Sequence, residues 1–317
     1  MAVDHLLISV FFTIVSMLFV FWAADLIVQG ISSYARRLGM SDYIAGLVVV
    51  AMAASMPEIL ASLTGLLSGQ SDILFGTILG TNMVHVALVG GLLAVLGKKV
   101  NVESTILSKV LLPLYLALLV PFVLILIDGE LGRIDGVVLV TLFVIYLVWL
   151  WHQEEKTGHM RSVLARKLYR DVFIFLGSLI VLLIASQTLV LSSVVFAAII
   201  GIPSYFIALT VIAVGGALPD LALGIKSIRQ GHQDIGMGDV LGSVILELLL
   251  FFGLVGLLHP VRVATGEVIN AMIFLAIGLA ILLYIIKKKY MTWKHGILLL
   301  SLYAVFLTIE IYKVVTA

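Results

Sequence analysis

Apolar residues run in long stretches along almost the whole chain, and short polar segments separate these stretches. A helix needs about 20 mostly apolar residues to cross the hydrocarbon core of a bilayer, so each stretch predicts one membrane-spanning helix. We therefore predict an all-α membrane protein. Its ten spans are expected at residues 5–28, 42–68, 72–97, 104–128, 133–152, 169–191, 203–229, 234–258, 266–286 and 294–314.

One polar connection, from His152 to Arg170, is much longer than the others and divides the spans into five and five. An odd number of spans per half makes the second half enter the membrane in the opposite direction, which is the arrangement of inverted repeats. The predicted divisions are a first repeat at 1–152, a cytoplasmic linker at 153–168 and a second repeat at 169–317. Broken helices are expected at the midplane of the membrane.

Lysine and arginine are distributed unequally over the predicted loops. One side of the membrane receives most of them, whereas the other receives only Arg133, Arg262 and Lys313. By the positive-inside rule the first side is cytoplasmic, which places the linker 153–168 in the cytoplasm and both termini outside. We expect an integral protein of a prokaryotic plasma membrane.

Composition agrees with this interpretation and excludes several classes of function. Of the 317 residues, 62% are hydrophobic and 12% are charged, against about 45–50% and about 25% in soluble domains. The chain has no cysteine, so disulfides, thiolate metal sites and cysteine nucleophiles are excluded. No basic tract indicates nucleic acid, and nothing implies a cofactor, an enzymatic activity or an obligate protein partner. The lipid bilayer and inorganic cations are the expected partners.

Two apolar stretches contain a proline followed by a carboxylate, Pro57-Glu58 and Pro219-Asp220, and the two pairs lie 162 residues apart. A carboxylate at bilayer depth is costly and is retained mainly where it faces water, a counter-charge or an ion. Proline removes a backbone donor, and the carbonyls that it frees can also bind a cation. Paired broken helices of this kind indicate a transport site at a repeat interface.

Other polar residues within the predicted spans obey the same offset of 162. His85 matches Glu247, and Thr81 and Ser243 each precede that pair by one helical turn. Carboxylates, hydroxyls and free carbonyls together form the oxygen-rich environment that hard cations such as Ca²⁺ prefer. The predicted cation ligands are Glu58, Asp220, Glu247, His85, Ser55, Thr81, Ser243 and the backbone carbonyls of Ala51 and Ala213.

His85 has three interpretations. A single histidine in a packed helix is most often a hydrogen-bonded structural residue. Imidazole also suits zinc, manganese or nickel better than calcium, which favours a different divalent cation. Finally, histidine titrates near neutral pH, so a protonated His85 beside Glu58 or Glu247 would hold the empty site until a divalent cation displaces it. An unchanged pH dependence of transport in His85→Asn would contradict the last hypothesis.

The two repeated segments resemble the cation/calcium antiporter superfamily, which includes sodium/calcium and proton/calcium exchangers. Its inverted repeats each carry a Gly-Thr-Ser-x-Pro-Glu-like segment followed one helix later by a Gly-Asn-x-x-Gly-Ser-Asn-like segment. The corresponding segments of this chain are Ala53-Ala54-Ser55-Met56-Pro57-Glu58 with Gly76-Thr77-Ile78-Leu79-Gly80-Thr81-Asn82, and Gly215-Gly216-Ala217-Leu218-Pro219-Asp220 with Gly238-Asp239-Val240-Leu241-Gly242-Ser243-Val244. The Ala-Asp-x-x-Val-x-Gly pattern at 24–30 is similar to the family's first span.

The resemblance implies an antiporter that exchanges Ca²⁺ or a related divalent cation for Na⁺ or H⁺ by alternating access. It implies that the second, third, seventh and eighth spans surround the ions while the first and sixth slide across them. By position, Glu58 and Asp220 match the calcium-binding acids, and His85 and Glu247 match the flanking pair. The chain departs from the family with Asp at 220, Ala at 217, His at 85, Thr at 77 and Asp at 239.

Two alternatives remain at this stage. One is a proton-coupled exporter of Mg²⁺, Mn²⁺ or Zn²⁺, which His85 favours. The other is an intramembrane aspartyl protease, because Gly236-Met237-Gly238-Asp239 fits a Gly-x-Gly-Asp pattern and Asp220 lies in the preceding span. That motif is only four residues long, and its repeat counterpart at Gly76 and Thr77 carries no acid. The inverted repeat accounts for more of the sequence.

Overall fold

The computed structural model describes residues 71–97, 99–101, 111–155, 204–263 and 265–316, together with single positions between Phe11 and Leu66 and between Phe173 and Thr188. Within these ranges seven helices are long and apolar enough to cross a membrane. They coincide with the predicted third, fourth, fifth and seventh to tenth spans. The predicted first, second and sixth spans lie largely outside the described residues.

The described part of the first half contains three helices and two short strands. Helix α1 has three consecutive parts, of which the middle one is a π-helix. The elements are α1 (Ser71–Met83, π-helical Val84–Val89 and Gly90–Gly97), β1 (Lys99–Asn101), α2 (Leu111–Asp128), β2 (Glu130–Leu131) and α3 (Arg133–Glu155).

The second half has a comparable series, again with π-helical parts. Pro219 at the start of α5 separates α4 from α5, because proline cannot continue the hydrogen-bond ladder of the preceding turn. The elements are α4 (Ser204–Ile207, π-helical Ala208–Ile212 and Ala213–Gly216), α5 (Leu218–Arg229), α6 (Gln233–Ile245, π-helical Leu246–Phe251 and Phe252–Leu258), β3 (Val261–Arg262), α7 (Thr265–Lys287), β4 (Tyr290–Thr292) and α8 (Trp293–Thr316).

The offset of 162 residues in the sequence is also visible in the local structure. The α-helical part Ser71–Met83 and the π-helical part Val84–Val89 of α1 reappear in α6 as Gln233–Ile245 and Leu246–Phe251. The backbone therefore repeats together with the polar residues it carries.

Two antiparallel two-stranded sheets join the two halves of the chain. Strand β1 pairs with β4, with Val100 opposite Met291, and β2 pairs with β3, with Leu131 opposite Val261. Strand β1 lies about 162 residues before β3, so the two sheets are counterparts of each other under the repeat. Each sheet takes one strand from each half and ties the halves together.

Burial identifies the helices at the centre of the protein. The membrane-spanning windows of α1 and α6 are each 83% buried, whereas that of α8 is 22% buried and those of α2 and α3 are 33% buried. The most buried helices thus carry the candidate polar residues, and α2, α3 and α8 present apolar side chains outward, as contact with lipid requires.

Glycines allow the central helices to approach closely. A Cβ atom at Gly76 would lie 2.8 Å from the Cβ of Ala208, and one at Gly80 would overlap the carbonyl of Leu209, both on α4. Gly136 on α3 and Gly253 on α6 form a second close crossing. Small residues at helix crossings are typical of membrane proteins, where packing replaces the hydrophobic drive between helices.

Candidate functional site

Polar residues spaced four apart form one stripe on α1 and another on α6, so each stripe occupies one face of its helix. All of these side chains are fully buried. The α1 stripe consists of Thr77, Thr81 and His85, and the α6 stripe consists of Asp239, Ser243 and Glu247.

His85 and Glu247 each occupy the second position of a π-helical part. A π-helix adds a residue to the turn and is found mostly at functional sites, where it re-aims a side chain. Its presence at two matched positions means that the same backbone feature presents both side chains. The sequence analysis did not predict these π-helical parts.

Asp220 lies in the first turn of α5, after Pro219 and the turn at Ala217. The side chain is fully buried. The N-terminal end of a helix carries a partial positive charge, which favours a carboxylate there. The helix break predicted from the proline therefore also places this acid where its charge is best tolerated.

The structure brings Asp220 together with residues from both stripes. His85 Nε2 lies 3.3 Å from Asp220 Oδ2, and the two side chains have no exposed surface. The Ser243 hydroxyl lies 3.5 Å from Asp220 Oδ1, a long contact. The predicted ligands His85, Ser243 and Asp220 thus share one buried site between α1, α5 and α6.

Glu247 is held by α1. Its Oε2 accepts hydrogen bonds from the Thr81 hydroxyl at 2.8 Å and from Asn82 Nδ2 at 2.9 Å. Ser55 is also buried beside this carboxylate, but its hydroxyl does not meet hydrogen-bond geometry. The second oxygen, Oε1, has no hydrogen-bond partner among the described residues.

The carbonyls of Ala51 and Ala213 would be free only if the helix unwound ahead of each proline, and the structure shows both of them hydrogen-bonded. The Ala51 carbonyl accepts a hydrogen bond from the amide of Ser55, and the Ala213 carbonyl accepts one from the amide of Ala217, both at 3.0 Å. The physical reason is the position of the proline: Pro219 lacks the amide that would bond the carbonyl four residues earlier, which belongs to Gly215. Each alanine carbonyl keeps a second lone pair, so both stay candidate ligands.

Glu58, the predicted partner of Asp220, lies outside the described residues. In the part of the chain that the structure describes, no group of three or more His, Cys, Asp or Glu side chains is placed to hold a metal ion. The arrangement of Glu58 relative to the other acids stays a prediction.

Asn82 is a site residue that the sequence analysis missed. Its amide also donates to the carbonyl of Ile78 at 2.6 Å, which fixes the side chain against α1. Most of the candidate side chains are polar at matched positions of the two repeats. Asn82 does not meet this condition, because its counterpart is the apolar Val244. The asparagine of the family-like segment Gly80-Thr81-Asn82 was the signal that could have identified it.

The sequence was compared with families and individual proteins. The model of the family described as sodium/calcium exchanger protein matches residues 8–152 and 171–312. The chain is 35% identical over 267 residues to inner membrane protein YrbG of Escherichia coli, covering 80% of this chain and 81% of that protein. It is 33% identical over 289 residues to the putative antiporter CaxA of Alkalimonas amylolytica, covering 88% and 90%.

The fold was compared with solved structures. It matches the sodium-calcium exchanger NCX_Mj, in crystals soaked with Na⁺ and Sr²⁺, with a TM-score of 0.82 and 25% sequence identity. The match covers 96% of this chain and 98% of the other. Similarity therefore extends over nearly the full length of both chains.

Proposed function

The chain belongs to the sodium/calcium exchanger protein family, whose members are membrane transporters and not enzymes. On this basis we propose that it is a secondary active antiporter that exchanges Ca²⁺ or a related divalent cation for Na⁺ or H⁺. The observation that carries this proposal is the buried contact of His85 with Asp220. His85 is the repeat counterpart of Glu247, and Asp220 is the repeat counterpart of Glu58. Membership in a family of transporters gives no support to the protease alternative.

The proposed ion position lies between Glu58 and Asp220. Asp220 Oδ2 and Glu247 Oε1 support it, because both are fully buried oxygens without a hydrogen-bond partner among the described residues. Carboxylate oxygens without partners at bilayer depth are costly unless a cation neutralises them. The further proposed ligands are the hydroxyls of Ser55, Thr81 and Ser243 and the carbonyls of Ala51 and Ala213.

In the proposed alternating-access mechanism, the charge of the site determines when it can change the side of the membrane to which it opens. With a divalent cation, or with monovalent ions, the carboxylates are neutralised and the site can pass the low-dielectric barrier. An empty site with ionised acids is disfavoured from crossing, so the protein exchanges ions instead of leaking them. In this mechanism the sliding elements are the predicted first and sixth spans.

Ion flux into proteoliposomes tests the proposal. The purified protein is reconstituted, and Ca²⁺ uptake is followed with a sodium gradient alone and with a proton gradient alone. We expect one of the gradients to drive uptake and Asp220→Asn to abolish it, because the variant removes one of the charges that neutralise the cation. Glu130→Gln, an exposed acid in β2, is the control and should retain uptake. Normal exchange by Asp220→Asn would contradict the site assignment.

A further inference from the structure

Several polar atoms around His85 have no hydrogen-bond partner among the described residues, which is unusual for buried groups. Neither ring nitrogen of His85 has a hydrogen-bond partner among the described residues, and the same holds for Asp220 Oδ2, Glu247 Oε1 and Asn82 Oδ1. Buried polar atoms are nearly always hydrogen-bonded, so a group of unsatisfied ones in one place requires an explanation. All four side chains are fully buried.

These atoms argue against a purely structural histidine. A structural imidazole in a helix bundle donates or accepts a hydrogen bond that fixes its orientation. His85 instead approaches Asp220 Oδ2 at 3.3 Å, within ion-pair distance but without the geometry of a hydrogen bond. Among the described residues, charge attraction to Asp220 acts on the ring, and no hydrogen bond fixes its orientation.

The separation of the two atoms is suited to joint coordination. Two adjacent ligands bound to a cation at about 2.2 Å and at about 90° to each other lie about 3.1 Å apart. His85 Nε2 and Asp220 Oδ2 are separated by 3.3 Å. The two atoms thus already have the spacing of neighbouring ligands.

From this arrangement we infer that His85 binds the transported cation directly through its imidazole, together with Asp220, so that the site accepts a first-row divalent transition cation alongside Ca²⁺. The inference rests on the proposed function, because it names the cargo class of the same site. Calcium prefers oxygen ligands, whereas imidazole nitrogen favours first-row transition cations. A nitrogen ligand in a site of carboxylates and hydroxyls therefore shifts the selectivity towards those cations.

The first test compares Mn²⁺ with Ca²⁺ in proteoliposomes. We expect the wild type to take up both ions and Mn²⁺ to compete with Ca²⁺. In His85→Asn, the affinity for Mn²⁺ relative to that for Ca²⁺ should fall by about 10- to 100-fold, the range seen when groups that support a metal site are removed. His259→Asn, at an exposed histidine after α6, is the matched control and should keep the wild-type ratio. An unchanged ratio in His85→Asn would overturn the inference.

The second test does not depend on the variant being active. Mn²⁺ bound to the wild-type protein is examined by pulsed electron paramagnetic resonance, with and without ¹⁵N-labelled histidine. We expect a histidine nitrogen coupling that Ca²⁺ removes by displacing Mn²⁺ and that His85→Asn lacks. A structural histidine would give no such coupling, and its absence in the wild type would overturn the inference. Failure of the wild type to exchange any divalent cation would instead contradict the proposed function itself.

Discussion

Among individual residues, Asn82 has a defined task, because its amide donates to Glu247 Oε2 and leaves Oε1 of that carboxylate free to face the site. We expect Asn82→Val to raise the Ca²⁺ concentration for half-maximal uptake by at least about tenfold, since a hydrogen bond to a charged group contributes about 1.5–3 kcal/mol and about 1.4 kcal/mol corresponds to a factor of ten. Concentration-dependent uptake in proteoliposomes measures this value.

The repeat supplies the control for this experiment. Val244 is the counterpart of Asn82 and is equally buried, but its side chain has no hydrogen-bonding group. Val244→Ala changes packing at the matched position and should leave the half-maximal concentration within about twofold of wild type, since it removes no donor from the acids. Equal effects of both substitutions would show that Asn82 acts through packing alone.

The sequence could predict those site residues that have a polar counterpart in the other repeat. His85, Thr81, Ser243 and Asp220 could be selected because each is polar within an apolar run. The structure brings them together with Glu247 through three contacts: His85 and Ser243 contact Asp220, and Thr81 contacts Glu247. Asn82 was missed because its counterpart is apolar. The ring orientation of His85 and its lack of hydrogen bonds depend on tertiary packing, which no local pattern encodes.

At the level of elements, the crossing of α1 and α4 depends on Gly80. A methyl group there would overlap the carbonyl of Leu209 and lie 2.8 Å from the Cβ of Ala213, and backbone cannot move aside cheaply. We expect Gly80→Ala to destabilise the protein by about 1–3 kcal/mol, the usual cost of overpacking. Thermal unfolding in detergent should show a lower midpoint temperature.

Gly90, in the last part of α1, is the matched control for this substitution. The closest atom to a Cβ at Gly90 is the carbonyl oxygen of His85 at 3.4 Å, an ordinary contact. Gly90→Ala should therefore be neutral or stabilise by up to about 1 kcal/mol, because alanine loses less conformational freedom in a helix than glycine does. If the two variants unfold at the same temperature, the close crossing at Gly80 does not limit stability.

The π-helical parts mark the limit of what sequence could predict about these elements. Val84–Val89 and Leu246–Phe251 are uninterrupted apolar segments apart from His85 and Glu247. Each of these parts contains a single polar residue, too few for a periodicity that would reveal an added residue in one turn. The spans follow from hydropathy and composition, whereas the local change of helix type has no such signal in the sequence.

At the scale of the whole molecule, the two sheets fix the relation between the halves. Helix α7 is 23 residues long, about 34 Å, and lies between β3 and β4, so the β2–β3 sheet and the β1–β4 sheet are at opposite ends of this helix. We expect these two ends to lie on opposite faces of the membrane. We therefore expect strand β1 and its repeat counterpart β3 on opposite faces as well. This is the placement that an inverted repeat requires.

The absence of cysteine from the sequence makes the orientation directly measurable, because a single introduced thiol is the only one present. Glu130 in β2 and Lys288 after α7 are both exposed, and we expect them on opposite faces of the membrane. Since lysine and arginine concentrate on the side of Lys288, we expect Lys288→Cys to react with a membrane-impermeant maleimide only after permeabilisation of cells, and Glu130→Cys to react in intact cells. If the two variants label in the reverse pattern, the inverted repeat still holds but the orientation of the protein in the membrane is opposite to the predicted one. If both variants label from one side, α7 does not cross the membrane and the inversion is contradicted.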